Sequence, residues 1–219
     1  MKYLFLIILL MTTSVVLGQT YTNGVFVKRG RTVEVDKKIH VVTNDTAYFS
    51  NELVAKVDTN TEMTINSFFQ EVFQTPTPTK AKFGSHSMAA TIMNGSATLV
   101  YSGAEANSSC VISTALTDLE LSNGTFYLKV SENKILVVAI DGSLKAHSGK
   151  KEFKVEKGYA LIATPNDLGI LEDKISLSVE KVRVETLNKL GEDAKKTEQV
   201  KGSVLWAFVD GKTIGVVLN

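Results

Sequence analysis

The sequence contains very little cysteine, proline and tryptophan: one Cys, three Pro and one Trp occur in 219 residues. A single thiol, Cys110, cannot form an internal disulfide, so a hydrophobic core rather than cross-links must stabilise the fold. Its neighbours Val111 and Ile112 predict a buried strand position, where a free Cys behaves as a small hydrophobic side chain. A reactive thiol is the alternative interpretation.

Clusters of one charge are also missing. The chain has 24 basic and 23 acidic residues, and the two kinds are interspersed along the sequence. A protein that follows a phosphate backbone needs a stripe of Lys and Arg. The charge pattern therefore gives no indication of a nucleic-acid partner or of an anionic membrane surface as partner.

The one long hydrophobic run lies at the N-terminus. Lys2 precedes an apolar stretch from Leu4 to Leu10, and the segment ends in Val16-Leu17-Gly18. This order of basic, apolar and small residues predicts a signal peptide over residues 1–18, cleaved before Gln19. The stretch is shorter than the roughly 20 residues that span a bilayer, so an uncleaved anchor is the less favoured alternative. We expect a periplasmic or secreted protein without an integral membrane span after cleavage.

Most of the remaining chain predicts short β-strands. Alternating or apolar runs of about four to seven residues, separated by turn residues, continue from Tyr21 to Ala163. Asn94-Gly95, Asn123-Gly124 and Asp141-Gly142 supply the positive φ angles of tight hairpin turns, so each pair is predicted to connect two strands. The fold class is therefore predicted to be mainly β, a sandwich or roll of many short antiparallel strands.

Two segments near the middle of the chain have a different composition. Ser67–Gln74 contains Phe68, Phe69 and Phe73 and is either a strand or a single amphipathic turn. Its aromatic side chains favour a core position over an exposed recognition patch. Pro76 and Pro78 remove backbone donors, so an internal break is predicted at 75–80.

From residue 165 the pattern changes. Apolar residues at helical spacing predict an amphipathic helix over about residues 185–200, in which Gly191 is unfavourable by about 1 kcal/mol relative to Ala. The segment 175–184 also fits an alternating strand. Ser203–Val209 and Thr213–Leu218, joined at Asp210-Gly211, predict a terminal β-hairpin.

Several stretches together resemble the FecR domain family. Residues 44–65 are similar to the early pattern of that family, in which two strands and a turn lead to an N-T-x-L step. Residues 111–130 are similar to T-x-x-A-x-x-x-V-x-G-T-x-F-x-V, and residues 136–144 and 155–160 to the closing V-x-V-x-x-G-x-V and V-x-x-G-x-x strands. Asn123 and Glu52 stand where the family usually has Arg and Gly.

The resemblance covers roughly residues 24–164, and together with the predicted signal peptide and the changed pattern after residue 164 it divides the chain into three predicted parts. These are the signal peptide at 1–18, a FecR-like β domain at 19–164, and a C-terminal helix plus β-hairpin extension at 165–219. Sensor-type members of the family have a cytoplasmic anti-sigma segment, a membrane span and then this domain outside, where it contacts an outer-membrane receptor. Because the predicted signal peptide begins at residue 1, we expect no cytoplasmic segment here.

The residues predict no catalytic, cofactor-binding or metal-binding site, and we expect the protein not to be an enzyme. His40, His86 and His147 lie far apart and outside any zinc-ligand spacing. Ser85-His86-Ser87 lacks the glycines of a nucleophile elbow. Four N-x-S/T triplets, at Asn44, Asn94, Asn107 and Asn123, would accept glycans only in a eukaryotic secretory pathway.

The sequence therefore favours an exported, non-catalytic binding or scaffold module of the periplasm or the cell exterior. Its partner is expected to be another envelope or surface protein, or a small ligand. A structural surface or adhesin-like protein that assembles through the 180–200 segment and the terminal hairpin is the alternative. A hydrolase of envelope polymers is a third interpretation, and it would require the three His residues, or a Ser, a His and an acidic residue, to converge in one pocket.

Overall fold

The computed structural model describes residues 20–22, 25–27, 31–33, 38–41, 45–48, 53–73, 82–102, 107–148, 151–165, 175–201, 204–209 and 212–217. The predicted signal peptide and the predicted break at 75–80 lie outside these residues. The division of the chain at residue 164 stays a prediction.

Sixteen strands and one long helix, α1, make up the described part of the chain. In chain order they are β1 (Thr20–Thr22), β2 (Val25–Val27), β3 (Arg31–Val33), β4 (Lys38–Val41), β5 (Asp45–Tyr48), β6 (Leu53–Val57), β7 (Thr61–Phe73), β8 (Lys82–Tyr101), β9 (Ser109–Ser113), β10 (Asp118–Ser131), β11 (Lys134–Ser148), β12 (Lys151–Glu156), β13 (Tyr159–Pro165), β14 (Ile175–Lys181), α1 (Val184–Lys201), β15 (Val204–Val209) and β16 (Lys212–Val217). The mainly-β class, the C-terminal helix and the terminal hairpin predicted from the sequence are confirmed.

The first fourteen strands are hydrogen-bonded into one set of ladders that divides into two layers. The layer that carries α1, called the helix layer below, has the strand order β14-β13-β11-β10-β8-β6-β5-β2-β3. The second layer has the order β12-β11-β10-β9-β8-β7, with β1 and β4 on the far side of β7. All of these pairings are antiparallel except that of β8 with β9, which is parallel. The architecture is a sandwich in which β8, β10 and β11 belong to both layers.

These three long strands correct the prediction of tight hairpin turns. Asn94-Gly95, Asn123-Gly124 and Asp141-Gly142 do not end strands; each pair lies inside one. Each strand pairs in the second layer on one side of its glycine and in the helix layer on the other. The predicted positive φ is present at Gly95 and Gly142, at 106° and 76°. The same backbone freedom that closes a hairpin here allows a strand to bend from one layer into the other.

Both layers bury alternate side chains in one hydrophobic core, and the alternation changes phase at each bend. The core-facing positions of β8 are even-numbered before Gly95 and odd-numbered after it: Met88, Ala90 and Ile92, then Ala97, Leu99 and Tyr101. The order is reversed in the other two strands: Leu119 and Leu121, then Phe126, Leu128 and Val130 in β10; Ile135, Val137 and Ala139, then Leu144 and Ala146 in β11. Because of this phase change, the bent strands face the same core from both layers.

The bends of β10 and β11 are packed directly against each other. Gly124 pairs with Gly142, and a register shift separates this pair from Leu121. A Cβ atom on Gly142 would lie 1.9 Å from the backbone oxygen of Asn123, and one on Gly124 would lie 2.3 Å from that of Asp141. Glycine is therefore required at both positions because the two backbones approach too closely for any side chain.

The outer face of the helix layer forms a second, smaller apolar contact. Val54, Val100, Val138 and Ala160 are buried on this face, and α1 packs over β6, β8 and β11. Ala194 of the helix is buried there as well. The apolar face predicted for the helix is thus already covered within the chain.

Candidate functional site

The three His residues lie on different strands, and His86 and His147 are not brought together. His40 lies on β4, opposite Glu62 of β7. His86 is 1% exposed inside the second layer, whereas His147 of β11 is exposed and lies 3.8 Å from Glu120 between Nε2 and Oε2. Three ladders, β8–β9, β9–β10 and β10–β11, separate the strands of His86 and His147. Among the described residues, no group of three or more His, Cys, Asp or Glu is placed to hold a metal ion.

His86 is part of the core rather than of a nucleophile pair. Its ring packs edge to face on Tyr101, with ring centroids 5.2 Å apart, and its backbone N–H donates to Ser108 Oγ at 3.1 Å. Burial lowers the pKa of His86 to about 4, so the ring is neutral at physiological pH. Ser85-His86-Ser87 lies along strand β8, not on the strand-to-helix turn that exposes a catalytic serine.

Cys110 is buried, as predicted from its neighbours. It lies on β9, between Met88 of β8 and Leu121 of β10, and is 0% exposed. Burial raises the pKa of its thiol strongly, because a thiolate would lose its hydration there. The geometry therefore opposes the alternative of a reactive thiol.

The other residues singled out in the sequence are dispersed. Phe68, Phe69 and Phe73 lie on β7, which confirms a strand there rather than a helical turn, but their side chains are outside the described part of the chain. Asn94, Asn107 and Asn123 are exposed, and Asn44 lies outside the described residues. Asp141, predicted at a turn, is opposite Thr125 and pairs with Lys157, with Nζ 2.8 Å from Oδ1. The hydrogen bond from Lys157 lowers the pKa of Asp141. These polar residues do not converge on one point.

Among the described residues, a concave site lies where β8 bends. It is an open cleft of about 590 Å³, lined by Met93, Asn94, Ser131, Glu132 and Asn133, and is called the end cleft below. Two elements form it, the bend of β8 and the turn between β10 and β11. The ladder from Gly95↔Val130 onward holds these two elements side by side.

A bulge directs Met93 into this cleft. Glu62 of β7 pairs with Asn94 while Met63 pairs with Ile92, which leaves Met93 as the extra residue in β8. Met93 is 46% exposed and Ile92 is fully buried, as expected for adjacent residues of a strand whose even-numbered side chains face the core before Gly95. The exposed methionine thus lies on the outer face of β8, at the bulge that precedes the bend.

Hydrogen bonds clamp the bend onto the turn between β6 and β7. Thr61 Oγ1 donates to the Ser96 carbonyl and accepts from the Ser96 N–H, both at 3.0 Å. Asp58 accepts from Ser96 Oγ at 2.5 Å, and its own N–H donates to the Ser96 carbonyl at 2.9 Å. A Cβ on Gly95 would lie 2.5 Å from Thr61 Cα, so the two segments are in direct contact. These contacts tie the bend of β8, beside the end cleft, to the turn between β6 and β7.

The lining of the end cleft is mostly polar. Asn94 and Asn133 offer amide donors and acceptors, Ser131 a hydroxyl, Glu132 one negative charge, and Met93 a flexible apolar surface. Ser131 Oγ donates to the Lys134 carbonyl at 3.0 Å, which fixes the β10–β11 turn. Apart from the exposed carboxylate of Glu132, the lining contains no residue type that acts as a general base near neutral pH.

The sequence did contain a signal for this site. The change of phase from Ile92 to Ala97 leaves room for extra residues around Asn94-Gly95, and a bulge accounts for such a change as well as a hairpin does. A hairpin places Met93 at the end of a strand, whereas a bulge places it inside one. Because the sequence analysis predicted a hairpin, it did not predict the end cleft.

The fold is that of a mainly-β, two-layered protein, and the end cleft is an open, mostly polar concavity beside the bend of β8. No family model matches the chain, and no curated protein matches it. The FecR resemblance of residues 24–164 therefore stays a prediction from the sequence.

Among solved structures, the chain is similar to two crystal structures that are each described as a "putative anti-sigma factor" from Parabacteroides distasonis. The first, at 2.50 Å resolution, has a TM-score of 0.46 and 9% identity over 84% of this chain and 99% of that chain. The second, at 1.65 Å, has a TM-score of 0.42 and 8% identity over 84% of this chain and 100% of that chain. A likeness at this level does not define the function or the partners of the chain.

Among the described residues, α1 included, no helix has the length and apolarity needed to cross a membrane.

Proposed function

We propose that the chain is an exported, non-catalytic binding or scaffold protein of the periplasm or the cell exterior, and that it binds its partner at the end cleft. The observation that supports this proposal is the exposed Met93, held on a rigid bulge beside the polar groups of the β10–β11 turn. Flexible methionines beside polar groups are frequent at binding surfaces that adapt to a partner. The predicted signal peptide and the FecR resemblance support an envelope location.

The partner proposed is another envelope or surface protein, or a small ligand. The cleft is open rather than enclosed, and enclosed pockets bury most of a small ligand. An open, polar surface with one apolar centre therefore favours a protein partner over a small molecule.

Pull-down from envelope extracts tests the proposal when the wild type is compared with two variants. Met93→Lys replaces the apolar centre of the end cleft by a charge, and Ala115→Lys adds the same charge at an exposed turn elsewhere. We expect wild type and Ala115→Lys to retain the same partner and Met93→Lys to lose it at least about tenfold, the loss expected for a central contact of an interface. Equal capture by all three proteins, or capture of nothing, contradicts a binding function at this site.

The alternative, an assembly protein that uses the 180–200 segment, is less well supported. Ala194 and Thr197 are buried on the side of α1 that packs on the helix layer, so this side of the segment is already occupied within the chain. Size measured by light scattering against concentration separates this form of assembly, in which the Ala194 face would pack on another copy, from a binding protein.

A further inference from the structure

The methionines of the chain differ in their exposure to solvent. The sequence has five, and two of them, Met1 and Met11, belong to the predicted signal peptide. Of the other three, Met63 of β7 and Met88 of β8 are each 1% exposed in the core, whereas Met93 of β8 is 46% exposed. A single thioether of the predicted mature chain is therefore open to a dissolved reagent.

The remaining sulfur atom of the chain is as inaccessible as those of the core. Cys110 is the one cysteine, and it is 0% exposed on β9. Burial raises the pKa of its thiol well above the usual range, and a thiol is oxidised through its thiolate. Cys110 of the folded chain therefore does not compete with Met93 for an oxidant.

The pairing of β8 holds Met93 on the outer face of the strand. Its neighbour Ile92 is fully buried and pairs with Met63 of β7. Beyond the bend, Gly95 lies so close to Thr61 that a Cβ atom would be 2.5 Å from Thr61 Cα. To turn Met93 into the core, β8 would have to slip by one residue, which would expose Ile92. The exposure of the thioether is thus set by the fold rather than by one side-chain rotamer.

The chemistry open to this side chain is oxidation to methionine sulfoxide. The thioether sulfur attacks one oxygen atom of hydrogen peroxide, the O–O bond breaks, and the sulfur keeps that oxygen. The second oxygen leaves as water with both hydrogens of the peroxide. The sulfur loses two electrons, and the peroxide accepts them. Methionine sulfoxide reductases reverse the change: the added oxygen leaves as water, and two thiols of the reductant are joined as a disulfide.

Oxidation removes the apolar character of the end cleft. Met93 is the one apolar side chain in its lining, and the other lining residues are Asn94, Ser131, Glu132 and Asn133. A sulfoxide is polar, and its oxygen accepts hydrogen bonds. A partner with an apolar group packed on Met93 would meet a polar surface after oxidation and would lose the gain from burying apolar area.

We propose that Met93 is a site of selective, reversible oxidation by peroxide, and that its oxidation releases the partner from the end cleft. The oxidation site depends only on which sulfur atoms the fold exposes. The regulation of binding rests on the proposed function, because it requires a partner that packs on Met93.

Treatment of the folded mature chain with dilute hydrogen peroxide, followed by peptide mass spectrometry, tests the site. We expect one added oxygen atom, at Met93, while Met63 and Met88 react at least about tenfold more slowly because the oxidant reaches them only when the core opens. In urea, where the core is open, the three rates should become similar. The two classes of methionine sulfoxide reductase, supplied with a dithiol, should remove the added oxygen.

Two variants serve as a matched pair in this experiment. Met93→Leu should take up oxygen only at the slow rate of the buried methionines, whereas Met88→Leu, a volume-conserving change in the core, should react at Met93 as fast as the wild type. Circular dichroism verifies that both are folded. Equal rates at the three methionines of the folded wild type, or a Met93 that stays unoxidised, overturns the site. A sulfoxide that the reductases leave in place overturns its reversibility.

Capture from envelope extracts tests the regulation, with untreated, oxidised and re-reduced wild type as the baits. We expect the oxidised chain to capture at least about tenfold less of the partner than the untreated chain, and the re-reduced chain to recover. Met93→Leu, at whatever level it captures the partner, should give the same result before and after peroxide.

Equal capture by untreated and oxidised wild type overturns the regulation, and so does a loss of capture that peroxide also causes in Met93→Leu. Neither result contradicts partner binding at the end cleft, which the Met93→Lys comparison decides. An untreated wild type that captures nothing contradicts the proposed function and the regulation together. The peroxide experiment without extract still decides whether Met93 is the oxidation site.

Discussion

Gly95, Gly124 and Gly142 mark the points at which strands pass between the two layers. Glycine is required at each position, either because the backbone has a positive φ or because a neighbouring segment approaches too closely to leave room for a Cβ atom. Their positions were visible in the sequence, and so was the chemistry of positive φ. What the residues alone did not decide was whether the backbone freedom closes a hairpin or bends a continuous strand, since Asn-Gly and Asp-Gly suit both.

Replacing Gly95 by Ala tests the clamp at the end cleft. The new Cβ would lie 2.5 Å from Thr61 Cα at a φ of 106°, so we expect the free energy of unfolding to fall by about 3 kcal/mol. Gly158→Ala is the matched control, because Gly158 has a φ of 83° but its Cβ position would make only an ordinary contact, 3.9 Å from Leu187 Cδ2. We expect only about 1 kcal/mol there. Urea titration measures both, and equal losses would show that the contact with Thr61 is unimportant.

Burial of His86 makes the stability depend on pH. The pKa of His86 is lowered to about 4 in the folded chain from about 6.5 in the unfolded chain. Below pH 6.5 the unfolded chain therefore binds a proton that the folded chain does not, and the free energy of unfolding falls until about pH 4. We expect a loss of about 2 kcal/mol at pH 5 relative to pH 7.5 from this group.

His86→Gln removes the titrating group, and urea titrations at pH 7.5 and pH 5 measure its effect. We expect the variant to lose about 2 kcal/mol less than the wild type between these two pH values. The comparison between the two pH values matters more than the absolute stability of the variant, because carboxylates titrate equally in both proteins. The same loss in both would mean that His86 does not cause it.

At the scale of the elements, composition and spacing predicted the class of fold, the terminal hairpin and the helix. The helix was expected over about 185–200 and is observed at Val184–Lys201, and the strand alternative for 175–184 is observed as β14. The lengths of β8, β10 and β11 were not predicted, because local sequence does not reveal which strands share a core from two layers. The end cleft depends on these bends and was missed for the same reason.

Helix α1 carries a glycine that its packing does not require. A Cβ on Gly191 would meet Ile140 Cγ2 at 3.8 Å, an ordinary contact. We therefore expect Gly191→Ala to raise the free energy of unfolding by about 1 kcal/mol, the difference in helix propensity. Thermal and urea unfolding measure the gain. As a control, Lys189→Arg exchanges two residues of equal helix propensity at an exposed position and should leave the free energy of unfolding at the wild-type value. A loss of stability would show that the helix packs more closely on Ile140.

At the scale of the whole molecule, the three shared strands tie the layers together. Leu99 lies in the helix-layer half of β8 and Ile112 in β9 of the second layer, and both belong to the same core. We expect their amides to exchange with the same free energy of opening, to within about 1 kcal/mol, and Val179 of the edge strand to open more readily. Residue-resolved hydrogen exchange in dilute solution measures the three values. A second layer that opens independently of the first would contradict the shared-strand arrangement.

The bends of β8, β10 and β11 also restrict how the gene can change. In a strand that pairs in one layer only, the loss or gain of one residue moves the following side chains to the opposite face. The next loop can restore the original register by changing its length. Here a single-codon deletion near Gly95 would exchange the two faces of the sheet for the whole of Ala97–Tyr101, so that Leu99 would turn from the core towards the helix side and Thr98 would turn into the core. Related genes should therefore vary in length at the turns between strands and keep a constant residue count through each bend.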